Sequence, residues 1–253
     1  MIKTILGEPF VINGPLVYKT GEDLYLEYLE EQDRISRLTP DYALGADLGQ
    51  AADYTAISLV KRVGDVEPPY IRGETQFLLY GLERLALGTS YVDVVRHVES
   101  RLMIPDLASK PPKPGRNCDL VIDASGCGRP VFDLFVERGL EPVGITITNG
   151  LTWTCVGHRQ YHVPRLDIVS ETVVAIEQGV LITPSESELP LVAALREELQ
   201  NIGRRTRPVT GRAEYIAYRE GVHDDLVFAV SMALWWIMHR PLRRRRMATS
   251  HQG

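Results

Sequence analysis

Between Tyr42 and Ile147 the sequence changes rhythm once, and that change restricts the possible folds more than any other feature. Tyr42–Leu48 reads as a short strand and Gly49–Asp53 as a turn. Thr55-Ala-Ile-Ser-Leu-Val alternates like a strand, and Glu74–Tyr80 makes a third after a loop rich in Gly and Pro. Strands joined this closely form an antiparallel meander. Beyond them helical and strand patterns alternate. Tyr91–Met103 is amphipathic, Cys118–Asp123 is a short apolar strand, Pro130–Arg138 is a helix ended by Gly139, and Pro142–Ile147 is a strand. Such β–α–β alternation demands parallel strands. The expectation is an α/β domain whose mixed five-stranded sheet has three antiparallel and two parallel strands, flanked by helices.

The remaining chain supplies the flanks. Gly21–Leu38 reads as a helix stopped by Thr39-Pro40. Residues 149–165 read as irregular. Arg165–Gln178 reads as a helix closed by Gly179, and Leu181-Ile182 as a short extended piece. Glu186–Ile202 reads as a helix with Pro190 in its first turn, Ala213–Arg219 as a strand, and His223–His239 as the most apolar helix of the chain. The boundaries expected are an N-terminal extension with one helix at 1–41, a folded domain at 42–240, and a basic, disordered tail at 241–253. Trp235 and Trp236, beside Leu234 and Ile237, read as core packing rather than a base-stacking platform.

Charge is distributed unevenly. The chain carries −5 overall, yet residues 201–253 hold ten Arg against Glu214, Glu220, Asp224 and Asp225, a local +6 beside an acidic body of −11. An enzyme of nucleic acid needs cations only where phosphates lie, and Arg204, Arg205, Arg207 and Arg212 are the candidates for backbone contacts to DNA. No apolar run reaches the length of a membrane span, no secretory signal opens the chain, and Cys118, Cys127 and Cys155 are too few for a disulfide framework. A cytoplasmic protein with reduced thiols is expected.

Acids at element ends carry the chemistry. Asp47 ends the first strand, Asp123 ends the fourth, and Asp224 and Asp225 open the last helix. If the first and fourth strands are neighbours, a helix across the sheet brings a third carboxylate to the same point. Converging carboxylates suit divalent ions, which activate water, neutralise phosphate and stabilise a departing oxygen. Asp at a strand end or before an apolar run also serves as a plain cap. Asp53 reads as a turn residue.

These residues resemble the C-terminal nuclease domain of phage terminase large subunits, a ribonuclease-H-like fold. The resemblance lies in Ala43-Leu-Gly-Ala-Asp-Leu-Gly-Gln-Ala-Ala-Asp-Tyr-Thr-Ala-Ile, in Val121-Ile-Asp-Ala-Ser-Gly-Cys-Gly-Arg-Pro-Val, in Val163-Pro-Arg, and in Gly211-Arg with Gly221-Val-His-Asp-Asp-Leu-Val-Phe-Ala. It implies a metal-dependent DNA endonuclease that cuts viral concatemers during genome packaging. Asp47, Asp123 and Asp225, with Asp224, would bind two Mg²⁺ or Mn²⁺ ions. Double-stranded DNA would be the substrate, with a packaging ATPase, small terminase subunit or portal protein as partner. Phe228 departs from the pattern, standing where many relatives have an acid. No Gly-x-x-x-x-Gly-Lys-Ser/Thr phosphate loop occurs in the sequence, so a motor is not expected of these residues alone.

Asp224 is expected to cap the last helix with its side chain, leaving Asp225 to point at Asp47 and Asp123. Cys155, His158 and His162 have zinc-like spacing without a fourth ligand; a loop with His158, Arg159 or His162 touching phosphate fits better. The alternatives are a Holliday-junction resolvase, a non-catalytic packaging module, and an actin-like ATPase fragment.

Overall fold

The structure is a computed structural model that describes residues 40–49, 53–63, 75–108, 117–125, 128–206, 213–217 and 223–240, with side chains described outside 203–222. The expected helix at Gly21–Leu38 and the expected basic tail at 241–253 lie outside the described residues.

The meander forms as the alternation requires: β1 (Tyr42–Asp47), β2 (Ala56–Val63) and β3 (Gln76–Arg84) pair antiparallel in sequence order. α1 (Tyr91–Leu102) and the short α2 (Pro105–Ala108) lead to β4 (Cys118–Asp123), which pairs parallel to β1. α3 (Gly128–Glu137) crosses to β5 (Val143–Thr148), parallel to β4. The central order β5-β4-β1-β2-β3 is therefore the ribonuclease-H-like mixed sheet expected from the sequence.

Three further strands extend it to eight. β6 (Thr154–Gly157) and β7 (Gln160–Pro164) form a hairpin within the stretch read as irregular, with β7 parallel to β5. No residue of β6 is buried, so the alternation that betrays a strand is missing there. After α4 (Arg165–Glu177), β8 (Leu181–Ile182) joins β3 at the other edge. α5 (Leu191–Asn201) starts later than Glu186: Ser185 instead closes a separate turn by accepting from the Glu188 and Leu189 amides, and Pro190 takes the cap position. β9 (Ile202–Thr206) and β10 (Ala213–Ala217) pair as a separate antiparallel hairpin, with β10 packed on α4. α6 (Asp225–His239) closes the domain.

Strand side chains alternate between two apolar layers. Tyr42, Leu44 and Ala46 of β1 face α1 and α3, whereas Ala43 joins Val121, Val143 and Phe77 beneath α4, α5 and α6. α6 is buried from Asp225 to Ile237, including Trp235 and Trp236 as expected. It lies unusually close to β1. A Cβ on Gly45 would sit 2.1 Å from the Ala229 carbonyl oxygen, and Ser58 Oγ donates to that same oxygen at 2.8 Å. Gly45 thus lets backbone meet backbone, and this contact sets where the first turn of α6 stands above the sheet. Among the described residues no helix is long and apolar enough to cross a membrane.

Candidate active site

Ala46 of β1 stands opposite Ile122 of β4, so the next residues, Asp47 and Asp123, come level where these parallel strands end. Adjacent strands lie about 4.8 Å apart. Both aspartates share the parity of Ala43 and Val121, and so the face on which α6 lies. The helix begins over this end of the sheet and carries Asp224 and Asp225 into it.

These acids feel one another's charge. Burial holds the Asp47 carboxyl well above its usual range, and the charges of Asp123, Asp224 and Asp225 push it further; Arg165 pulls the other way. Burial also raises Asp123, while Ser125, whose backbone N–H donates to Oδ1 at 2.7 Å, and Arg165 oppose the rise. Asp224 is raised by burial against the pull of Arg165, and Asp225 and Asp53 add to the rise. Asp53, a turn residue in the sequence reading, therefore contributes charge to the cluster.

The two acids that open α6 do not divide their tasks as expected. Asp224 occupies the cap position, but its side chain makes no capping hydrogen bond; Oδ2 accepts from Arg165 Nη2 at 2.7 Å. Asp225, 5% exposed, is held on both oxygens by Arg84, from Nε at 2.9 Å and from Nη2 at 2.7 Å. Arg84 also donates to Glu198 of α5, whose other oxygen accepts from the Val227 amide at 3.1 Å. Glu198 thus satisfies a free N–H of the first turn that Asp224 was expected to take. Burial and the neighbouring Asp225 push the Glu198 carboxyl up to about 8. The physical reason is like-charge crowding. Two adjacent carboxylates, one buried and one half-buried, each need a cation, so Asp224 turns to Arg165 and Asp225 to Arg84. Phe228, three residues on from Asp225, receives the Arg165 guanidinium over its ring at 4.4 Å.

Other expectations are redrawn. Arg159 follows His158 in the β6–β7 turn and pairs with Asp119 at 2.8 Å, near the opposite end of β4. Asp119 precedes Asp123 by four residues, roughly 13 Å of strand, so this turn does not cover the acids. The residue that reaches them is Arg165, where β7 ends. The sequence signal was there in Val163-Pro-Arg, but nothing local shows that β7 runs towards Asp123. Cys155 lies opposite Tyr161 and Thr154 opposite His162, and no zinc set forms among the described residues. Arg204 and Arg205 lie on β9; Arg207 and Arg212 lie outside the described residues.

The acids were tested as a metal centre by their donors. All are carboxylates, the oxygen chemistry that hard divalent cations prefer, and their mutual repulsion favours a cation between them. Among the described residues no three His, Cys, Asp or Glu side chains are spaced to share one ion. Asp47 with Asp123, completed by water, fits one hard cation, since Mg²⁺ keeps several waters. Asp224 and Asp225 are occupied by arginines.

No protein-family model matches the chain, and no curated protein matches its sequence. Solved structures that it resembles include three terminase nucleases. The large terminase nuclease of thermophilic phage G20c aligns at 18% identity over 77% of this chain and 81% of that one, with a TM-score of 0.48. The g2p large terminase nuclease domain of bacteriophage SPP1, with bound Mn, aligns at 13% identity over 80% and 89%, with a TM-score of 0.45. The Mn-soaked human cytomegalovirus terminase nuclease domain aligns at 18% identity over 82% and 93%, with a TM-score of 0.41. At this level of likeness, function has to be argued from the site.

Proposed function

We propose that this chain is a divalent-metal-dependent DNA endonuclease of the terminase kind, cutting viral concatemers while a genome is packaged. The observation that carries the reading is Asp47 and Asp123 standing level at the ends of β1 and β4, with Asp224 opening α6 and paired with Arg165. Asp47 and Asp123 would hold Mg²⁺ or Mn²⁺, which supplies water activation and charge neutralisation at the phosphate. Asp225 is assigned to anchoring rather than to the ion, because Arg84 takes both its oxygens. In the reaction a water oxygen bonds to phosphorus as the P–O3′ bond breaks. The water's proton leaves to solvent, the 3′ oxygen takes one up, and a 5′ phosphate remains.

Double-stranded DNA is the substrate in this reading. Arg204 and Arg205 lie on β9, which pairs with β10, and β10 packs on the helix that Arg165 opens; together with Arg207 and Arg212 they would touch backbone phosphates. A packaging ATPase, small terminase subunit or portal protein would deliver the DNA, in the host cytoplasm. Supercoiled plasmid incubated at low salt with Mg²⁺ or Mn²⁺ tests the reading. Nicked and linear products with 5′ phosphates are expected. Plasmid left supercoiled in both metals after long incubation refutes it.

A further inference from the structure

We propose that Arg165 is the built-in cation of this site: its guanidinium holds the Asp224 carboxylate that a second metal ion would need, so the chain works with a single bound divalent ion. The inference rests on the nuclease reading above.

Arg165 is held from two directions. Nη2 donates to Asp224 Oδ2 at 2.7 Å, and the flat guanidinium lies over the Phe228 ring at 4.4 Å to the centroid. Phe228 is itself buried in the core beneath α6. A rigid aromatic shelf of this kind fixes a planar cation without competing for its donors. The Arg165 side chain remains 32% exposed, so a guanidinium bound to Asp224 through Nη2 keeps a face for an incoming oxygen. Arginine's fork suits a carboxylate on one side and a phosphate on the other.

The pairing of the acids accounts for the number of ions. Arg84 lies against Asp225 and Glu198, and Arg165 against Asp224. Asp47 and Asp123, level at the ends of β1 and β4, are the pair left for one divalent ion. To reach Asp224, a second divalent ion would have to displace Arg165 from its salt bridge and its ring. Arginine remains protonated at any working pH, so this charge is permanent.

Mn²⁺ titration calorimetry without DNA tests this on the wild type, Arg165→Gln and Arg165→Lys, with plasmid cutting measured in parallel. The wild type should bind one Mn²⁺ per chain. Arg165→Gln removes a competing cation, so it should bind a second Mn²⁺ or hold the first at least about tenfold tighter. It should also cut more slowly at saturating Mn²⁺, while Arg165→Lys keeps the single ion. Should Arg165→Gln not fold, Phe228→Leu removes the shelf and keeps the charge, and should tighten Mn²⁺ binding by a smaller factor. Two ions in the wild type, or identical isotherms for wild type and Arg165→Gln, overturn the inference while cutting leaves the nuclease reading intact. No Mn²⁺ uptake and no cutting overturn both.

Discussion

Asp119 and Asp123 stand four residues apart on the same face of β4, and they meet opposite fates. Asp119 lies beneath the C-terminal end of α6. Burial alone would raise its carboxyl, but Arg159, Arg240 and the Trp236 indole N–H together hold it below the usual range. Those contacts measure 2.8, 3.2 and 2.9 Å, and Arg240 also donates to the Pro40 carbonyl. Asp123 lies beneath the N-terminal end of the same helix and is raised, with Asp47 and Asp224 raised beside it. One end of the helix is neutralised within the protein. The other keeps an excess of negative charge that an external cation can satisfy. Residue type and strand face are shared; the supply of arginine differs. Stability and chemistry are thereby separated along a single strand.

The largest expected effect breaks the neutralised end. Asp119→Ala leaves Arg159 and the buried Arg240 without their carboxylate and should cost roughly 3–5 kcal/mol of unfolding free energy, read from urea midpoints. Plasmid cutting per folded molecule should be unchanged, and an unshifted midpoint would erase the contrast. Next comes the open end. Asp47→Asn should lower cutting at least about a hundredfold, the scale on which losing one electrostatic contact to a transition state is felt. Its melting temperature in EDTA should hold or rise, because one member of a repelling cluster is gone. Near wild-type cutting would place the chemistry elsewhere.

The smallest effect is a slope. A carboxyl raised by folding destabilises the fold in its ionised form, fully above the folded pKa and not at all below the unfolded value near 4. Asp47, Asp123 and Asp224 act in this sense, as does Glu198, pushed up to about 8. Asp119 acts oppositely: its stabilisation is present above the ordinary aspartate pKa and is lost only as pH falls through its depressed value. In EDTA the melting temperature should therefore rise as pH drops from about 8 to about 5, a window in which Asp119 contributes no slope. Asp47→Asn should flatten the rise. Equal slopes for wild type and variant would mean that Asp47 does not feel the cluster.

The sequence by itself determined the order of the elements and the positions of the acids. The alternation of Tyr42–Asp47 and Ala56–Val63, the short apolar run of Cys118–Asp123 and the helix signals between them are local properties, and local periodicity is legible without a fold. Asp47 and Asp123 could be seen at strand ends, and Asp224 and Asp225 ahead of an apolar helix. Tertiary structure alone decided which charge meets which. Arg84 lies 141 residues before Asp225, and Arg165 lies 59 before Asp224. Neither pairing leaves a trace in spacing, because an ion pair over such separations exists only after β3 and α4 have packed. The same holds for the β6–β7 hairpin, recognisable as strand only once β5 offers it a partner, and for the first turn of α6. One residue along a helix is a rotation of about 100°. Which cation each of Asp224 and Asp225 meets depends on Arg165 and Arg84, which arrive from α4 and β3.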